Sequence, residues 1–408
     1  MAKLRIGTSY WLDQYRGQLP RFPAMRGARA ADVAIVGGGI TGCLAAFLFA
    51  EAGLSVVLLE AQRIGRGSTA ASTALLMQEP DVDFRDLAAR YGAARTRQIW
   101  ACSSQSVRGL TGLLRRLRID ASVESVPSVY WTSETSASAD LRRELGRRHA
   151  AGLGGRWLSP AALKRAAGID GAGGILTVGN AQVDPYRACL GLAERARAAG
   201  ARVCEHSPVR RVTGNRHAVR VALDRGEVSA KWAVIATGYA TADFKPLAGR
   251  FRMSNTYVIA TPPIRAATRR DMGLGGVMFW DTEDPYHYAR WTPDRRLLFG
   301  GRDEPRVPRR SRRSALAHHA DRLVEDLIAL YPALDGIAPD YAWEGLFATT
   351  PDGLPYIGTH RRYPRQLFAL GYGGNGMTFG YLAAQILVRA AQGAITREDG
   401  FFGFGRIR

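Results

Sequence analysis

A chain of 408 residues with 46% apolar content is long enough to bury a sizeable core and predicts two domains. Residues 1–30 lack the apolar run of a secretory signal. The most apolar helical stretch, about residues 40–52, is too short to span a bilayer, so no membrane span is expected. Four cysteines (Cys43, Cys102, Cys189, Cys204) show neither CxxC nor metal-ligand spacing, which speaks against a metal site and fits a reduced, cytoplasmic protein. The net charge is +20, and only four of the 56 basic residues are lysine (Lys3, Lys164, Lys231, Lys245). The arginines are scattered apart from Arg306–Arg313. That reads as a general arginine bias rather than a nucleic-acid face, which would interleave arginines with aromatics on one surface.

Residues 1–29 read as an N-terminal arm whose Tyr10-Trp11-Leu12 docks on the body. Val33–Val36 is an apolar run of the kind that forms a buried parallel strand. Gly37-x-Gly39-x-x-Gly42 follows, where glycines permit a tight turn, close backbone approach to a pyrophosphate and close helix–strand packing. A helix opening near Ile40 would aim its free N–H groups and positive dipole end at that pyrophosphate. Gly53 stops the helix, Ser55–Leu59 forms a second strand, and Glu60 closes it, placed to hydrogen-bond a ribose diol and to repel a 2′-phosphate. The hydroxyl-rich loop Arg63–Thr73 can approach a cofactor, and Ala74–Met77 carries it inward.

Residues 84–118 carry apolar residues at helical spacing, Val123–Thr132 reads as a strand, and Leu141–Ala150 as a basic helix facing solvent. Asp184-Pro185-Tyr186 begins a helix with an N-cap acid and Pro in the first turn. Arg202–Cys204 and Trp232–Ala236 are further strands, the latter meeting a turn at Thr237-Gly238. Tyr257–Thr261, Val277–Asp281, Tyr286–Arg290 and Arg296–Gly301 read as an antiparallel meander. Alternation puts Tyr286, Tyr288 and Arg290 on one face and His287 on the other. Ala315–Tyr331 is an amphipathic helix with a solvated His318-His319 pair. Gln366–Leu370, the glycine-rich Gly371–Gly376 and the apolar Met377–Gln392 form a strand, a turn and a helix.

Taken together these segments resemble the FAD-dependent D-amino acid oxidase superfamily, which includes glycine oxidase, sarcosine oxidase and γ-glutamylputrescine oxidase. The residues that carry the resemblance are Gly37-x-Gly39-x-x-Gly42 with Glu60, Gly65-Arg66-Gly67-Ser68-Thr69, Val183-Asp184-Pro185 and Ala236-Thr237-Gly238. Trp343-x-Gly345, Thr350–Gly358 and Gly371–Gly376 complete the set. It implies an α/β fold, α+β overall, with a Rossmann-type FAD-binding domain and a substrate domain on a mixed or antiparallel sheet. The FAD-binding domain would comprise residues 30–80, 175–245 and 340–408, and the substrate domain residues 81–174 and 246–339. FAD contacts are implied for Gly37, Gly39, Ile40, Thr41, Gly42, Glu60, Ala61, Arg66, Gly67, Ser68, Thr69, Ser72, Leu75 and Val209. The same holds for Thr237, Gly238, Gly345, Gly373, Gly374, Asn375, Gly376, Met377 and Thr378, with Asp352 completing the wall beside the flavin.

The resemblance implies oxidation of a C–N bond: a neutral amine passes a hydride to the flavin, water hydrolyses the imine, and O2 or another acceptor reoxidises the flavin. Departures from the family pattern bear on the substrate. Phe347 and Gly374 stand where glycine oxidase has arginines, and Ala74 and Thr378 where sarcosine oxidase has basic residues that hold a carboxylate. Gly345 replaces the cysteine that tethers the flavin, so FAD is expected to be noncovalent. The expected substrate is therefore a small-molecule primary or secondary amine, with Tyr257, Trp280, Tyr286, Tyr288 and Arg290 as candidates to line its pocket. An amino acid or N-methyl amino acid oxidase whose carboxylate is held by Arg290, Arg252 or Arg302 is the alternative. A flavin monooxygenase or an RNA-modifying flavoprotein is a more distant one.

Overall fold

The structure, a computed structural model, describes residues 5–239, 249–272 and 276–406. The expected domain boundary at 245/246, Lys3 and Lys245 lie outside the described residues. Two large sheets organise the molecule. In the first, strands Arg202–Cys204, Val56–Leu59, Gly27–Val36, Gly226–Gly238 and Tyr363–Leu370 run parallel in that spatial order. Gly226–Gly238 is long enough to change partner: its first half pairs with Val219–Leu223 and its second half with Tyr363–Leu370. Helices Ile40–Glu51, Pro185–Ala198 and Gly376–Gln392 cover one face, and their apolar side chains make one core with Val33, Ile35 and Leu58.

Among the described residues the second sheet has nine strands, in the order Arg5–Gly7, Tyr341–Thr349, Arg252–Ala260, Leu297–Pro305, His287–Trp291, Met278–Asp281, Ser128–Thr132, Gly173–Thr177 and Arg156–Leu158. All its pairings are antiparallel except that of Met278–Asp281 with Ser128–Thr132, so the sheet is mixed. Met278–Asp281, His287–Trp291 and Leu297–Pro305 form an antiparallel meander as expected, whereas Arg252–Ala260, expected beside the first of these, pairs with the last. Tyr341–Thr349, which opens the third expected FAD-binding segment, is an interior strand of this second sheet, and Arg5–Gly7 of the N-terminal arm pairs with it. Residues 84–118 split into helices Phe84–Tyr91 and Ala93–Arg116 at Gly92 (φ +80°), a conformation in which a helix cannot continue. The longer helix packs its Ile99, Val107 and Leu110 into the core of the first sheet's side. Arg148, expected at a solvated face, is buried between Glu144 (2.9 Å) and the Trp100 ring.

Helix Arg312–Leu330 covers the far face of the second sheet, where Tyr257, Ile259, Phe279 and Phe299 meet Leu323 and Leu327. His287 points to that face, as alternation requires, and stacks on Phe299. Burial opposes its charge, but its ring nitrogens lie 3.0 Å from both Asp281 and Asp326, and these bonds raise its pKa to about 9 from an ordinary 6.5. A raised folded-state pKa means the contribution is complete below about pH 6.5 and lost as pH rises through 9. Thermal melts of His287→Gln should therefore lack part of the decline in Tm that the parent shows between pH 6.5 and 9; parallel curves for the two proteins would contradict this.

Candidate functional site

The strand Gly27–Val36 leads into a turn that only glycine can make closely. Gly37 has φ +109°, and a Cβ there would stand 2.5 Å from the Ala236 carbonyl oxygen. One helical turn on, a Cβ on Gly42 would overlap the Gly37 carbonyl oxygen, so the helix lies directly on the turn. Gly39 caps this helix without a side-chain bond, leaving first-turn N–H groups facing outward, while Ile40 N donates to Thr69 Oγ1 at 3.0 Å. Glu60 accepts from Gly38 N and Gln62 N, each at 2.7 Å. Desolvation pushes its pKa up, and those two bonds restrain the rise.

A cavity of about 1090 Å³ opens along this turn. Gly37, Gly39, Ile40, Thr41, Glu60 and Ala61 form one wall, and Arg66, Gly67, Ser68, Thr69 and Ser72 of the hydroxyl-rich loop another. Val209, Thr237, Gly238, Gly376 and Met377 line it as well. Gly42 supports the turn from beneath. Leu75 pairs in a short strand with Gln182, and Gly345 packs against Ala71. Thr378 is buried with its hydroxyl on the Met77 carbonyl, and Asp352, expected at the wall, is buried among Arg406, Tyr91 and Thr350. Among the wall residues that sequence reasoning missed are Gly38, Gln62, Tyr372, Arg210, Arg211, Val212 and the Arg5–Gly7 strand. It also missed that Arg306, Arg309, Arg310 and Arg313 stand around the same cavity.

Gly376 and Met377 begin the second helix that reaches the cavity. The turn before it is tied to the loop after Met77: Asp81 accepts from Gly374 N at 2.6 Å and from Asn375 Nδ2 at 3.0 Å, and Asn375 Nδ2 also donates to the Glu79 carbonyl at 2.7 Å. Gly373, Gly374 and Asn375 thus meet Asp81 rather than the walls of the large cavity. Asp81 is exposed, yet desolvation raises its carboxyl to about 6, with Asp303's charge adding to the effect.

Across from it stands the near face of the second sheet. Tyr288 lies over Gly300, where a Cβ would come 2.6 Å from the ring, and its hydroxyl is 3.0 Å from Thr256 Oγ1. Tyr286 is tilted against it with centroids 5.9 Å apart, and Trp280 stacks on Tyr130 at 5.2 Å further along. Tyr288 and Trp280 keep accessible surface on this face.

Two pocket expectations are corrected. Tyr257 is fully buried on the opposite face, stacked on His319 at 4.2 Å and hydrogen-bonded to Glu304, because its neighbour Thr256 takes the near face. His319 is accordingly half-buried, whereas His318 is exposed. Arg290 does share a face with Tyr288, but it is buried and its Nη1 donates to the carbonyls of Thr73 (3.0 Å), Ala74 (3.2 Å) and Val183 (2.7 Å) beneath Trp11. Burial lowers its pKa to about 10. Tyr257→Phe should leave turnover within about twofold and lower stability by about 1 kcal/mol, as loss of one hydrogen bond does. A large kcat loss in that variant would return Tyr257 to the site.

The chain matches the family model for FAD dependent oxidoreductases over residues 32–390. It is 28% identical over 407 residues to gamma-glutamylputrescine oxidoreductase of Escherichia coli (strain K12), covering 97% of this chain and 91% of that protein. It is 23% identical over 388 residues to glycine oxidase of Bacillus subtilis (strain 168), covering 91% and 93%. Among solved structures, glycine oxidase from Geobacillus kaustophilus aligns with a TM-score of 0.77 at 21% identity, over 92% of this chain and 98% of that one.

Proposed function

The chain belongs to the FAD dependent oxidoreductase family, and from that premise we propose that it oxidises a C–N bond of a primary or secondary amine with noncovalently held FAD. The glycine turn, the open helix N-terminus and the Glu60 carboxylate fit a dinucleotide: they offer close backbone approach, donors for phosphate and an acceptor for a ribose diol. Among the described residues no cysteine or histidine lines the large cavity, which supports a cofactor held without a covalent bond. FAD, when bound, supplies the two-electron acceptor. The helix N-terminus at Gly376–Met377 presents a positive dipole end to charge gathered at that side of the cavity. Trp280 and Tyr288 exclude water and offer aromatic faces to the substrate. The amine reacts in its neutral form, and the imine released is hydrolysed by water. O2 or another acceptor completes the cycle, and all four cysteines are free, which supports a cytoplasmic setting.

The observation that carries an amine rather than a small amino acid is the commitment of two of the three arginines expected to hold a carboxylate, the third, Arg252, lying exposed at the start of its strand. Arg290 is spent on backbone carbonyls and Arg302 on Asp326, with bonds of 2.5 and 2.6 Å. The test is product analysis with purified yellow protein. Amines should yield aldehyde with ammonia or the shorter amine, acid precipitation should leave FAD in the supernatant, and glycine and sarcosine should be poor substrates. Turnover of glycine or sarcosine equal to that of amines would overturn the amine reading.

A further inference from the structure

The near face of the second sheet holds two carboxylates, Asp81 and Asp303, and neither meets a basic side chain among the described residues. Asp303 is approached by the hydroxyls of Thr256 and Tyr286, while its Oδ1 is buried with no hydrogen-bond partner. Asp81 accepts from Gly374 N through one oxygen and from the Asn375 amide through the other, which leaves each oxygen a lone pair for a further donor. The two charges lie close enough that Asp303 raises the pKa of Asp81. Tyr286 and Tyr288 stand beside them, tilted by 38° to one another. An orphaned buried carboxylate oxygen and two like charges set close together are both costly. Two anions and two aromatic rings around one space form a receptor for an ammonium group, which offsets both costs.

We infer that Asp81 and Asp303, flanked by Tyr286 and Tyr288, bind a second, non-reacting ammonium of the substrate, so that the preferred amines are diamines or polyamines. The inference rests on the amine reading and sharpens it. The nitrogen that is oxidised must be neutral, and a pair of carboxylates favours the protonated form, so the cation they hold is a different nitrogen. Because Asp81 is bonded to the turn that precedes the Gly376–Gln392 helix, the ammonium is anchored beside the region proposed to face the flavin. A small amino acid would instead bring a third carboxylate to the same cleft, where like charges repel.

The experiment compares 1,4-diaminobutane with butylamine, which has the same carbon chain and one nitrogen. Binding to the oxidised, FAD-loaded protein is read from perturbation of the flavin absorbance, and anaerobic reduction is followed separately. The diamine should bind and reduce roughly tenfold to hundredfold more effectively, the scale of hydrogen bonds to a charged group. In Asp303→Asn and in Asp81→Asn that advantage should shrink towards unity, with the change in KM rather than kcat. Equal behaviour of diamine and monoamine in the parent protein would overturn the inference and leave the amine reading intact. So would an advantage that persists in both variants. Should a variant fail to load FAD, the parent comparison alone decides. If neither amine binds or reduces the protein while a small amino acid does, the amine reading falls and the ammonium site with it.

Discussion

Gly42→Ala should produce a colourless, poorly folded protein. The added methyl overlaps the Gly37 carbonyl oxygen, and neither partner can yield. Moving the helix away would pull its N-terminus out of the cavity wall, and moving the turn would break the Gly37 N bond to the Leu59 carbonyl (2.9 Å). The cost is that of overpacking against rigid backbone, about 3 kcal/mol or more, a large part of the stability of an ordinary domain. Gly112→Ala is the control. It too is a helical glycine, but its added Cβ meets nothing within 4 Å, so it should keep its colour and gain roughly 0.5–1 kcal/mol from helix propensity. The ratio of flavin to protein absorbance and a thermal melt measure both. A yellow, stable Gly42→Ala protein would mean that the helix does not need to lie on the turn.

Arg290→Met should lower stability by about 3 kcal/mol, because the Thr73 and Val183 carbonyls lose a charged donor and remain buried. The methionine keeps most of the aliphatic volume, so the loss reports hydrogen bonds rather than a void. The effect reaches the N-terminal arm as well, since the guanidinium lies over the Trp11 ring, whose Nε1 donates to the Ser72 carbonyl at 2.8 Å. Denaturant unfolding and amine KM separate the two possible roles. A structural Arg290 moves the unfolding midpoint and leaves substrate discrimination where it was. If the variant is as stable as the parent and loses only affinity for a carboxylate-bearing substrate, Arg290 belongs to the substrate site.

The dinucleotide half of the fold was legible because its signals are local. The strand, glycine spacing, helix and terminal acid lie within one stretch of chain, and the structure brings Gly37, Ile40 and Glu60 to one cavity. The parity of Tyr286, Tyr288 and His287 was equally readable, being a property of one strand. Long-range placement was not. Whether Tyr257 or its neighbour Thr256 faces the cleft depends on which side the helix Arg312–Leu330 covers, and no pattern within Arg252–Ala260 states that. Arg290 sits on the predicted face and is nonetheless sealed, because the arm's Trp11 arrives from far away in sequence. Asp81 lies in an irregular loop where periodicity carries no information, and Asp303 near the polar end of a strand.

The most direct test of the account is anaerobic mixing of the yellow protein with amines and with small amino acids, following loss of flavin absorbance. Rapid bleaching by primary or secondary amines, with little or none by glycine, sarcosine or D-amino acids, is the predicted result. Rapid bleaching by the amino acids and none by the amines would contradict the assignment of this cleft to amine oxidation.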